Sequence, residues 1–100
     1  MIIRIVKMNF RPELVSQFEA VFEERKAQIA GFEGCTKLQL LRGIGEMDNV
    51  FFTYSYWESE QALDNYRHSD FFKDTWSKTK ALFASKAEAW SVEEQFLAVK

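Results

Sequence analysis

The sequence predicts an α+β fold in which an antiparallel sheet carries helices on one face, with elements in the order β-α-β-β-α-β. Three observations lead there. Apolar, β-branched or aromatic stretches of strand length occupy residues 2–10, 35–42 and 50–57. Between the first two, Val15, Phe18, Phe22 and Ile29 recur at helical spacing. After the third, Ser59 and Ser69 each open a further helical pattern.

Each element has its own local reason. Strand one, 2–10, carries apolar side chains on both parities, Ile3 and Ile5 against Ile2, Val6 and Met8, as a strand covered on both faces does. Pro12 stands where a first helical turn tolerates a missing N–H, and Gly31 supplies a stop, so helix one is expected over 12–30. Residues 35–42 read as a second strand, and the turn-rich GIGEMDN stretch leads into a third, VFFTYSYW at 50–57. Ser59 with Glu60, and Ser69 with Asp70, combine an N-cap hydroxyl with a first-turn carboxylate. They predict a short helix and then a longer one, on which Phe72, Trp76, Thr79 and Phe83 share a face. A fourth strand is expected around 88–99, its polar centre from Ser91 to Gln95 marking a bulge or a crossing into a partner subunit. This is the ferredoxin-like arrangement, and 100 residues leave room for one domain, 1–100.

Composition narrows the function classes. With 13 Lys plus Arg against 15 Asp plus Glu there is no basic stripe to neutralise a series of phosphates, so nucleic acid is not an expected partner. The opening MIIRIVKMNF lacks the apolar core and cleavage site of a signal peptide, and no apolar run approaches the ~20 residues of a membrane span. Cys35 is the single cysteine, with no partner for a disulfide or a metal-binding pair, and reads as a small hydrophobe. These features predict a soluble cytoplasmic protein without bound metal. Ten Phe, three Trp and three Tyr are generous for so short a chain, whose high surface-to-volume ratio limits what it can bury alone.

Strand three shows where that surplus goes. Val50, Phe52, Tyr54 and Tyr56 fall on one face and Phe51, Thr53, Ser55 and Trp57 on the other. The first set is large throughout, and helices can cover only one face, so a homodimer through the sheet face is expected. The second set places small hydroxyls between Phe51 and Trp57, beneath the helices, where a filled core wants bulk. A small-molecule cavity is expected there, bounded by Thr53, Ser55, Trp57, Tyr66 and Trp76. The competing reading is that Phe72 and Trp76 fill the space.

Among chemically able side chains, His68 is the only imidazole, the group whose ordinary charge change falls near neutral pH; its Arg67-His68-Ser69 junction predicts exposure to solvent. The Tyr66 hydroxyl can orient a phenolic or carbonyl ligand or satisfy a backbone group. Arg42, ending strand two, suits an anion or a surface ion pair.

The run Trp57-Glu58-Ser59-Glu60-Gln61-Ala62, followed by Tyr66 and Ser69-Asp70-Phe71-Phe72, resembles the signature of the antibiotic biosynthesis monooxygenase (ABM) family, and the GFEGC lead-in to strand two extends the likeness over nearly the whole chain. The resemblance implies a ferredoxin-like sandwich that pairs as a dimeric α/β barrel. It also implies a set of candidate chemistries. Where the family's quinone-forming monooxygenases carry an asparagine four residues before the tryptophan and a tyrosine six after, this chain has Thr53 and Leu63; their helix arginine falls at about Trp76. Its haem-degrading members use an asparagine, a tryptophan and an axial histidine where Val6, Tyr66 and Trp76 stand, which disfavours haem breakdown here. Other relatives place histidines near positions 66 and 71, here Tyr66 and Phe71.

The expected function is accordingly a cofactor-independent monooxygenase acting on a small aromatic or quinol-type substrate. Candidate catalytic residues are Trp57, Tyr66 and His68, with Thr53, Ser55, Trp57, Tyr66 and Trp76 as the binding set. The alternative is a non-catalytic homodimer that binds a small hydrophobic molecule or a protein partner. Haem binding through His68 is a third possibility.

Overall fold

The computed structural model describes residues 1–100. Its strands are β1 (Ile2–Asn9), β2 (Cys35–Arg42), β3 (Val50–Trp57) and β4 (Glu88–Val92), and its helices α1 (Val15–Ala30), α2 (Glu60–Arg67) and α3 (Asp70–Lys80). The strands form one sheet in the order β2-β3-β1-β4, with every neighbouring pair antiparallel. This is the expected ferredoxin-like α+β fold.

Local chemistry sets the boundaries. Pro12 opens a single 3-10 turn, Pro12–Leu14, ahead of α1, so the expected first helix begins as a tighter coil. The Ser59 hydroxyl accepts the Ala62 N–H and the Ser69 hydroxyl accepts the Phe72 N–H, each at 3.1 Å, so both serines cap as their positions predict. No helix is long and apolar enough to cross a membrane.

Strand β4 is shorter than expected. Pairing ends at Ile3 opposite Val92, because β1 itself begins at Ile2 and offers nothing further along its edge. Residues 93–100 carry on without regular structure, with Phe96, Leu97 and Val99 in solvent.

The two sheet faces differ sharply. On the helix side the core divides into two clusters, one of Met8, Phe10, Val15, Phe18 and Phe51, the other of Ile29, Trp57, Leu63 and Tyr66. A domain of this size ordinarily has one contiguous core. On the opposite side, Ile5 lies between Tyr54 and Trp90, Ile3 between Tyr56 and Val92, and Phe52 between Lys7 and Leu41, with no element over them. Leu41, Trp90 and Val92 are exposed.

Two contacts fix the helical cover. Arg25 of α1, its side chain only 13% exposed, pairs with Asp74 of α3 at 2.7 Å and donates to the Thr75 hydroxyl at 3.0 Å. That hydrogen bond from Arg25 holds the Asp74 carboxyl below its ordinary range. Gly34 sits at φ 88°, where side chains are strained, and a Cβ there would run into the Ala62 Cβ. The Gly34→Ala variant is expected to lose about 2 kcal/mol or more, from left-handed strain of ~1–2 kcal/mol plus the clash. Urea midpoints will check this, and pairing it with Ala62→Gly is expected to recover only the clash component.

Candidate functional site

Between the two core clusters, under the helices, lies a cavity of about 310 Å³. That volume falls at the low end of the ~300–1,000 Å³ typical of ligand pockets, suited to a ligand of one or two rings. Its floor is the helix-facing row of the sheet: Arg4, Val6 and Met8 of β1, Leu38 of β2, Thr53 and Ser55 of β3, and Ala89 of β4. Phe18, Phe22 and Ile29 of α1 wall one side. From α2 and α3 come Leu63, Tyr66, Phe72, Thr75, Trp76 and Thr79, with Arg67 and His68 at the junction of the two helices. The space is open rather than filled by Phe72 and Trp76, because those rings lie parallel, 6.0 Å apart and 9° off plane, and line it as a wall.

Of the residues singled out from the sequence, Thr53, Ser55, Tyr66, Trp76 and His68 meet at this cavity, and Trp57 does not. Trp57 is fully buried behind Tyr66, with ring centroids 5.0 Å apart and planes 26° from parallel. Its indole Nε1–H donates to the Ser55 hydroxyl at 2.9 Å. Trp57 therefore backs the site, and Ser55 keeps one O–H to offer inward. The Thr79 hydroxyl is already engaged, donating to the Thr75 carbonyl at 2.7 Å, whereas the Thr75 hydroxyl accepts from Arg25 and, like that of Ser55, keeps its own O–H.

Tyr66 is 8% exposed and boxed edge-on by Phe32 and Phe72. Burial, reinforced by the nearby Cys35 thiol, pushes its phenol well above the ordinary tyrosine range. It is thus a hydrogen-bond donor and not a base. Burial likewise raises the Cys35 thiol, which disfavours a reactive thiolate.

His68 is exposed, as its position between helices predicts, yet it forms part of the cavity's rim. Its Nδ1 lies 2.8 Å from the Asp64 carbonyl oxygen. A carbonyl only accepts, so Nδ1 carries the hydrogen and the neutral ring's basic nitrogen is Nε2. Arg42 lies elsewhere: it stacks over Phe51 at 5.1 Å and donates to the Asp48 carbonyl.

Two cations at the cavity escaped the sequence reading. Arg4 belongs to the inward row Ile2, Arg4, Val6, Met8, where it is the one charge among apolar side chains. That parity was the available signal. Arg67 ends α2 beside His68, and nothing in its local sequence distinguishes it from a solvated helix-end cation. No group of three or more His, Cys, Asp or Glu side chains converges anywhere in the chain.

An α+β sandwich with a hollow between sheet and helices, lined by aromatic rings, hydroxyls and a few cations, defines the class of domain. The family model described as antibiotic biosynthesis monooxygenase matches residues 1–77, and the chain belongs to that family. Among solved structures it is similar to a conserved protein from Methanosarcina mazei, at 22% identity over 95% of this chain and 94% of that one, with a TM-score of 0.86. It is similar also to a Mycobacterium tuberculosis protein, at 16% identity over 98% of both chains and a TM-score of 0.85. The cofactor-independent oxygenase SnoaB from Streptomyces nogalater superposes with a TM-score of 0.86, at 18% identity over 99% of this chain and 97% of that one. At such identities the likeness shows the fold. No curated protein matches the sequence.

Proposed function

We propose that this chain is a cofactor-independent monooxygenase of small aromatic or quinol-type molecules, acting as a homodimer. The observation that carries the reading is the aromatic cavity, in which a basic imidazole nitrogen and protonated hydroxyl donors border the same space. Membership of the ABM family and the described activity of SnoaB support it.

In this reading the phenol O–H and a ring C–H para to it each give up one hydrogen, that ring carbon gains one oxygen atom of dioxygen as a carbonyl, and the other oxygen atom leaves as water. The substrate supplies the electrons. His68 Nε2 takes the first proton, and the Tyr66 and Ser55 hydroxyls donate to the oxygen on which negative charge develops. Phe72 and Trp76 hold the ring and exclude water. The twofold pairing buries the uncovered face of Ile5, Tyr54 and Trp90, and brings residues 93–100 against the second subunit.

Oxygen uptake on a panel of phenols and quinols tests the activity. Wild type is expected to exceed a heat-treated control, with His68→Gln slower by about 100-fold or more and Tyr66→Phe by about 10-fold or more. Absence of uptake with every member rejects the proposal. The binding-only alternative rests on Thr53 and Leu63, which stand where relatives carry polar side chains; tight binding without turnover would favour it.

A further inference from the structure

We propose that the cavity takes a small aromatic acid, with its carboxylate held between Arg4 and Arg67 and its ring against Phe72 and Trp76. This deepens the reading above and rests on it for the cavity as the ligand site.

Arg4 is costly where it stands. It sits on β1, an interior strand of the sheet, and faces the underside of the helices. Its cross-strand neighbours, Ser55 on β3 and Ser91 on β4, are small hydroxyl residues that neither cover it nor neutralise it. The single hydrogen bond it makes to a side chain runs from Nη1 to the Ser91 hydroxyl, at 3.1 Å. A guanidinium has five N–H donors, and no carboxylate pairs with this one. Burial and the neighbouring Arg67 charge both disfavour its charged form. Leu or Met would fit the apolar row at no such penalty.

Arg67 faces the same space and is only loosely satisfied, with Asp64 at 3.8 Å and both groups in solvent. His68 adjoins it and pairs with no carboxylate, its Nδ1–H donating to the Asp64 carbonyl. Asp64 is therefore the one acid within ion-pair distance of these two guanidiniums. A compact anion between the two guanidiniums would offset their repulsion and supply acceptors for the free donors. Carboxylate matches the planar fork of arginine, which binds it through two parallel hydrogen bonds. The remaining lining is mostly apolar and ring-bearing, with the hydroxyls of Thr53, Ser55 and Tyr66 set into it, which sets the rest of the ligand as a flat aromatic body with room for a ring oxygen.

Calorimetric titration of the full chain with 2-naphthoate and with 2-naphthamide, which keeps the rings and removes the charge, tests the assignment. Wild type is expected to bind the acid about 10-fold or more tighter than the amide, as charge-assisted bonds imply. That preference is expected to weaken as salt is raised. Arg4→Met is expected to abolish it while amide affinity stays within about 2-fold, and Arg4→Lys, which keeps the charge but loses the fork, is expected to retain part of it. Should Arg4→Met fail to fold, the wild-type comparison and its salt dependence decide alone. Equal affinity for acid and amide overturns the carboxylate clamp and leaves the cavity reading standing; binding of neither overturns both.

Discussion

Replacing Trp57 with alanine is expected to cost about 3–5 kcal/mol of folding free energy, the range for truncating a large buried ring. Against a typical total of ~5–15 kcal/mol for a domain, that leaves little margin. The size follows from position. Trp57 has no exposed surface, stacks on Tyr66, and packs with Ile29 and Leu63 in the cluster that closes one end of the cavity. Trp57→Phe keeps a ring and loses the hydrogen bond to Ser55, so about 1 kcal/mol or somewhat more is expected. Guanidinium unfolding of the two variants checks both figures. A loss below about 1 kcal/mol for the alanine variant would contradict the supporting role. Because Trp57 stands behind Tyr66 and not at the cavity surface, Trp57→Phe is expected to change stability more than turnover.

Tyr54→Glu carries the second large effect. Tyr54 occupies the middle of β3, between Ile5 of β1 and Gln39 of β2, on the face that no helix covers. In the proposed homodimer this is the centre of the buried patch. A carboxylate placed there without a partner costs at least about 3 kcal/mol in the assembled state, a weakening of about 100-fold or more. Sedimentation is expected to give wild type at twice the 11.8 kDa chain mass and the variant at 11.8 kDa. A wild-type protein that sediments as a single 11.8 kDa chain at micromolar concentration would end the dimer proposal.

Where local chemistry decides the outcome, the sequence was a sound guide. Alternation along 50–57 separated the two faces of β3, and the hydroxyls of Ser59 and Ser69 marked two helix starts because an N-cap needs nothing beyond its own turn. The gap left by Thr53 and Ser55 was legible for the same reason: small side chains on an inward parity subtract volume wherever the helices lie.

Features that depend on distant partners were harder to read. Trp57 lies at the back of the site because Tyr66, nine residues later, folds across it. The end of β4 is set by the start of β1, at the other end of the chain. Arg4 and Arg67 become a pair only when β1 and α2 converge on one hollow, so neither stood out by itself, although the lone charge in Ile2-Arg4-Val6-Met8 was open to notice.

The three tryptophans occupy three different environments: Trp57 in the sealed core, Trp76 on the cavity wall, and Trp90, 45% exposed, on the open sheet face. Indole emission shifts to longer wavelength as water reaches the ring, so a set of variants each retaining one indole turns the molecule into its own three-channel optical gauge. Trp57 would report unfolding, Trp76 ligand occupancy and Trp90 self-association, without an added dye.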